Sequence, residues 1–206
     1  MRTILQLVGL AVLLAATASC GDVVRDGRSP SFLVIDSLLG KQGDPSAGAF
    51  TSPLASDVIT KVTSPLPCKP DAPCSIVFND LGQVTLRLSP KDSTNAAAPT
   101  TNNQVTITRY HVTYQRADGR NTPGVDVPYG FDGAATGTVP ASGTLIVPFE
   151  LVRHIAKQES PLIQLKLSSR VISTIAEVTF YGTDQVGNAI SATGWLTVDF
   201  GDFGVQ

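Results

Sequence analysis

Two histidines, three cysteines and one glycine-rich loop hold most of the chemistry open to this 206-residue chain. An imidazole works as a general base when a hydroxyl or thiol lies within reach of it. His111 sits inside an alternating stretch, Tyr110-His111-Val112-Thr113-Tyr114, and His154 follows Arg153. Neither belongs to a G-x-S-x-G or H-E-x-x-H pattern, and no glycine-rich loop of the phosphate-cradling kind is present. Two imidazoles also exclude a histidine-rich metal centre. Cys68 and Cys74 enclose Lys-Pro-Asp-Ala-Pro, a spacing unlike the C-x-x-C of zinc and redox sites. In an exported chain it reads as a small disulfide loop, with two prolines that already restrict the unfolded state. Asp126, Asp132, Asp184 and Asn188 carry oxygen donors suited to calcium, but their spacing matches no EF-hand, and Asp184 and Asn188 read as turn residues. The expectation is a non-catalytic protein with no metal and no cofactor.

The most distinctive stretch is the loop 117–137, ADGRNTPGVDVPYGFDGAATG. Arg120, Asn121, Asp126, Tyr129, Phe131 and Asp132, with Arg116 just before them, mix charge, amide and aromatic surface among glycines and prolines. Exposed aromatics beside polar groups stack on sugars or peptides, and loops on a rigid scaffold are where such contacts gather. The competing reading makes the same loop a crossover between sheets, with Tyr129 and Phe131 plugging the edge of the core. Both readings stand at this point.

The third cysteine, Cys20, speaks to location. Met1-Arg2-Thr3 gives a short positive start, and Ile4 to Ala18 is apolar but for Gln6 and Thr17. That run is shorter than the roughly 20 residues of a spanning helix and has the form of a secretory signal. Ala16-Thr17-Ala18-Ser19-Cys20 resembles the lipobox of bacterial lipoproteins, with Thr17 where that family prefers Leu. The resemblance implies that residues 1–19 are a signal peptide, that the Cys20 thiol is lipidated, and that 20–30 form a lipidated tether. An ordinary secretory signal cut near Ala18 or Ser19 is the simpler alternative. Each buried CH₂ of an acyl chain contributes roughly 0.8 kcal/mol, so several chains hold a protein at a membrane. Gly21 stands where Asp retains some lipoproteins at the inner membrane. The expected location is therefore the cell envelope, with the outer membrane favoured where one exists.

The elements that must position these residues are strands. Charged residues are only 16% of the chain, Gly and Pro number 18 and 14, and the net charge is −2, one unit more negative without Arg2. Nothing in that balance attracts nucleic acid. Phe32 to Ile35 reads as a buried strand, 40–53 as a loop, and 55–62 as a short strand. Residues 75–89 read as strand, turn at Asn79-Asp80-Leu81-Gly82, and strand. In 104–119 the apolar phase changes from odd positions (Val105, Ile107) to even ones (Tyr110, Val112, Tyr114), which predicts a bulge near Thr108-Arg109. Pro148 places 144–151 at a sheet edge, 151–158 gives one helical turn, and Ile163, Leu165 and Leu167 alternate as in a strand. Trp195 falls on the phase opposite Leu196 and Val198, the outer face.

About eight short strands with no long helix predict an all-β fold, an antiparallel β-sandwich over 31–206. The turn Asp184-Gln185-Val186-Gly187-Asn188 between alternating strands resembles the closing hairpin of immunoglobulin-like and fibronectin type III-like domains. Across most of its length after Cys20 the chain also resembles bacterial lipoproteins with no assigned activity. The function expected is that of a lipid-anchored interaction or structural module, meeting the membrane through its lipid and an envelope protein or glycan through its surface. The rival is a receptor for a small carbohydrate or peptide using the 117–137 loop.

Overall fold

The computed structural model describes residues 28–45, 47–92, 94 and 100–204. Cys20, the signal segment 1–19 and the tether up to residue 27 lie outside the described residues. Ten strands form among those described: β1 (Ser31–Lys41), β2 (Leu54–Asp57), β3 (Thr60–Val62), β4 (Cys74–Ile76), β5 (Asp80–Pro90), β6 (Val105–Gln115), β7 (Phe131–Val139), β8 (Thr144–Val152), β9 (Ile172–Asp184) and β10 (Ala189–Gly201). No α-helix occurs among the described residues. The fold is all-β.

Three sheets result, ordered β1-β5-β8, β2-β10-β9-β6-β7 and β3-β4. The first is antiparallel throughout. The second is mixed, because β2 runs parallel to β10 with Val198 opposite Leu54 and Gly201 opposite Asp57. The expectation of purely antiparallel pairing is corrected there. A short strand that follows a long loop can approach the sheet from either direction, and no sequence period marks which. Pro148 does lie on an edge strand, β8, where its missing N–H interrupts no ladder on the open side.

Period-2 alternation buries one face of each larger sheet. Val84, Leu86, Val147, Phe149 and Leu151 from the three-stranded sheet join Val112, Val178, Phe180, Leu196 and Val198 from the five-stranded one in a single hydrophobic cluster. The register of β6 shifts between Ile107 and Arg109 against both neighbours. That bulge lets Ile107 and Tyr110 both face inward, and the phase change in the sequence is its signature.

Two glycines open the centre of the core. Gly82 on β5 lies opposite Phe149 on β8, and Gly133 on β7 lies opposite Tyr110 on β6. A methyl group on Gly82 would sit 2.2 Å from the Phe149 ring, and one on Gly133 would sit 2.3 Å from the Tyr110 ring. Each ring therefore lies flat across a bare backbone and reaches its counterpart from the other sheet. The Tyr110 and Phe149 centroids are 5.1 Å apart, and Phe149 meets Phe180 edge-on at 5.2 Å, the offset geometry that aromatic quadrupoles favour. The Glu150 amide donates to the Tyr110 hydroxyl (3.1 Å), and the Tyr114 hydroxyl donates to the Leu151 carbonyl (2.6 Å), so the polar tips of both tyrosines also span the two sheets.

Three local expectations change. Leu162–Leu165 is a 3-10 turn rather than a strand, with Leu162 and Leu165 buried one turn apart and Ile163 exposed. The alternating pattern there was a coincidence of a three-residue repeat with a two-residue one. Asp80, Leu81 and Gly82 belong to β5 rather than to a turn, since Asp80 is buried and paired from its first atom inward. The apolar run at Phe32 is not buried throughout: Phe32 is 56% exposed, beneath the Lys91 ammonium.

The register also separates the ends of the molecule. Ser31 pairs with Pro90, Arg87 with Thr144, Val105 with Val139 and Asp184, and Thr183 with Ala189. These residues mark one end, where 140–143 and 185–188 are tight connections, where the longer connection 91–104 leaves β5 and enters β6, and where the chain enters β1. At the other end lie Lys41, Asp80, Gln115, Phe131, Val152, Ile172 and Gly201. The connections 42–53, 58–79, 116–130 and 153–171 all gather there. Strands of nine to thirteen residues put the two ends roughly 30–40 Å apart.

Candidate functional site

The loop that leaves β6 at the far end is held by its own short bonds. The Arg116 amide donates to the Asn121 side-chain carbonyl (2.6 Å), and the Thr122 carbonyl accepts from the amides of Val125 (3.1 Å) and Asp126 (2.8 Å). Gly119 and Gly124 take φ of +80° and +76°, the left-handed region where glycine is free of Cβ strain. Tyr129 lies across Gly124, where a methyl group would meet its hydroxyl at 2.3 Å.

Asp118 organises the charge of this loop. Its carboxylate accepts from Arg116 Nε (3.1 Å) and Nη2 (2.6 Å) and from Arg120 Nε (3.0 Å) and Nη2 (2.8 Å). The Arg116 and then the Arg120 bonds hold the Asp118 carboxyl well below the usual carboxylate range. Both guanidinium groups keep donors pointing elsewhere, since each carries five N–H bonds.

Across from them, the connection 153–171 supplies a second wall. Leu162 and Leu165 anchor its 3-10 turn in the core. Between the walls lies a cleft of about 280 Å³ lined by Arg116, Arg120, Asp126, Gln164, Leu165 and Arg170 among others. Three guanidinium groups face one lining carboxylate. Among the described residues no carboxylate pairs with Arg170. The donors in this cleft match the geometry of a carboxylate, sulfate or phosphate, and Leu165, Val125 and Val171 add apolar lining.

The residues singled out from the sequence divide. Arg120 and Asp126 line the cleft, and Asn121 holds its loop in shape. Tyr129 is 59% exposed beside it. Phe131 instead packs in the core against Tyr110, with the Arg153 guanidinium 3.9 Å above its ring. Asp132 lies on the outer face of the five-stranded sheet, where its carboxylate meets His111 Nδ1 (3.1 Å) and Arg109 Nη1 (3.4 Å). His154 bonds Asn79 Oδ1 through its amide and Nδ1 (2.6 and 2.7 Å), a different partner from that of His111. Cys68 and Cys74 are joined by a disulfide that closes over the β3–β4 pair. Asp184 uses its carboxylate on the amides of Val186 and Asn188 and on the Asn188 side chain, closing the β9–β10 turn.

Sequence reasoning missed Gln164, which falls in a stretch that alternates as a strand does, and Arg170, which lies beyond that stretch with no pattern to mark it. The spacing of Leu162 and Leu165 after Pro161 is the signal that points to the tighter turn. Compared with protein-family models and with curated proteins, the chain matches none.

Proposed function

We propose that this chain is a lipid-anchored protein of the cell envelope, a β-sandwich of immunoglobulin-like character that presents a non-catalytic binding end away from the membrane. One observation carries the reading: the chain enters β1 at one end, and the connections that line the arginine-bearing cleft lie at the opposite end. The ten residues from 21 to 30 reach at most about 35 Å when extended. A lipid on Cys20 therefore keeps the entry end near the bilayer and turns the cleft outward, toward an envelope protein or glycan. The shared hydrophobic cluster of the two larger sheets supports the sandwich.

Mass spectrometry of protein extracted from membranes tests the anchor. Acyl chains on Cys20 that disappear in Cys20→Ser are expected, and an unmodified wild-type residue overturns it. Orientation is read separately with a quencher on lipid headgroups. A fluorophore at Val186→Cys is quenched and one at Thr122→Cys is not; the reverse order refutes the arrangement.

The cleft also supports a second reading, a receptor for a small anionic carbohydrate or peptide. Binding of carboxylate-bearing glycans or peptides on an array, lost in Arg120→Ala and Arg170→Ala, is the expected result. Binding that survives both changes removes the cleft from consideration.

A further inference from the structure

The cluster beneath the far end holds two charged side chains that water does not reach. Lys157 heads the largest fully buried side chains, and Asp80 is as deeply buried, each 1% exposed. Lys157 Nζ lies 2.8 Å from Asp80 Oδ1 and 2.9 Å from the Asp57 carbonyl oxygen. Ser56 Oγ donates to Asp80 Oδ2 at 2.5 Å, and the Gly43 amide reaches Oδ1 at 3.3 Å. An ion pair in such a place gives up hydration on both partners for one Coulomb contact, and the exchange is seldom favourable.

We propose that Asp80 and Lys157 condense into an intramolecular isopeptide bond. The hydrogen-bond partners around the pair suit an amide better than an ammonium carboxylate. An ammonium has three donors, and among the described residues Nζ finds two acceptors. A secondary amide has one N–H, for which the Asp57 carbonyl is in place, and one carbonyl oxygen, for which the Ser56 hydroxyl is in place.

The step balances within the pair. A proton passes from Nζ to Asp80 along their hydrogen bond, giving a neutral amine and a neutral acid. Burial pushes the Asp80 carboxyl up, while the Lys157 ammonium and the Ser56 hydroxyl pull it back. The Nζ lone pair adds to Cγ, and charge developing on Oδ2 is met by the Ser56 hydroxyl, an oxyanion donor fixed beforehand. The Cγ–Oδ1 bond breaks, Oδ1 leaves with a second proton from Nζ as one water, and Cγ–Nζ remains. No oxidant or outside reactant enters. Holding both groups in contact inside the fold gives the step the high effective concentration of an intramolecular reaction. The product ties the first residue of β5 to the connection after β8, positions 77 apart in sequence.

The test is peptide mapping of the full chain, reduced, denatured and digested with trypsin. The expected product is a branched peptide containing both Asp80 and Lys157, uncut after Lys157 and lighter than its two parts by one water. It is absent from Lys157→Arg, which keeps the charge and lacks the primary amine. Two linear peptides of full mass in the wild type leave a plain ion pair and overturn the proposal. So does a water lost within the linear Asp80-Leu81 peptide alone, the mark of a cyclic imide.

Discussion

Replacing Gly82 with alanine puts one methyl group where a ring already lies. The added Cβ would stand 2.2, 2.5 and 2.6 Å from Cζ, Cε1 and Cε2 of Phe149. That ring cannot slide aside, since Tyr110 and Phe180 flank it at 5.1 and 5.2 Å and the Tyr110 hydroxyl is held by the Glu150 amide. The backbone at Gly82 is ordinary extended strand, so the effect is steric. Overpacking of this kind costs about 1–3 kcal/mol, and a wedged ring takes the upper part of that range. Alanine recovers about 0.5–1 kcal/mol of backbone entropy in a strand, leaving a net loss of about 2 kcal/mol. For a chain of this size each kcal/mol moves the melting temperature by roughly 2–4 °C, so Gly82→Ala should melt about 4–8 °C lower. Urea titration followed by circular dichroism reads the same loss as a shifted midpoint with an unchanged slope. Phe149→Leu removes the obstructing ring edge, and the double mutant should lose at least ~1 kcal/mol less than the two single losses summed. Gly48, with nothing within 4 Å of an added Cβ, is the control and should change by no more than ~0.5 kcal/mol. A neutral Gly82→Ala, or additive behaviour with Phe149→Leu, refutes the account of glycines as seats for the two rings.

Tyr114 makes stability fall in alkali. Burial pushes its phenol far above the usual 10.0, so above about pH 10 the unfolded chain releases a proton that the folded one keeps, and unfolding gains free energy as pH rises. Tyr114→Phe should flatten that part of the slope in urea midpoints and cost about 1 kcal/mol at neutrality through the lost bond to Leu151. The Cys68–Cys74 bridge spans six positions, and the chain-entropy relation gives such a ring about 2 kcal/mol. Because β3 and β4 pair only with each other, Cys68→Ser with Cys74→Ser should raise amide exchange there and lower the global midpoint by less than that; collapse of the whole fold would contradict the assignment. Trp195, 63% exposed with Nε1 donating to Glu177, should fluoresce in the native state nearly as it does in urea and be quenched freely by acrylamide. A blue-shifted, protected emission would place it elsewhere.

Period and phase made the larger strands readable. Val84, Leu86 and Leu88 announce β5, the odd-to-even change after Ile107 announces the bulge, and Asp184 with Gly187 announces the last turn. These signals are local, and local backbone rules decide them. The buried pairing at the far end was not readable. Lys157 sits in a short polar-looking turn and Asp80 in what resembles a turn sequence, and only the packing of β5 against the connection after β8 makes them neighbours. The cleft combines both cases: Arg120 and Asp126 stand out in a loop rich in glycine, while Gln164 enters through a 3-10 turn whose spacing imitates a strand. Phe131 reads either as a ligand platform or as a plug at the core edge, because loops and strand beginnings share glycine and aspartate, and the register of β7 on β6 buries it as the plug.

The order of strands in the five-stranded sheet has a consequence for how the protein is made. Its middle is built from β9 and β10, which emerge from the ribosome after every other strand, while β2, formed early, pairs only with β10. Until those two strands appear, β6 offers an open side and β2 has no partner in its sheet, although β1, β5 and β8 can already pair with one another and β6 with β7. Late closure of long-range pairings slows folding, so the five-stranded sheet, and the core face it closes, is the last part of the molecule to be completed.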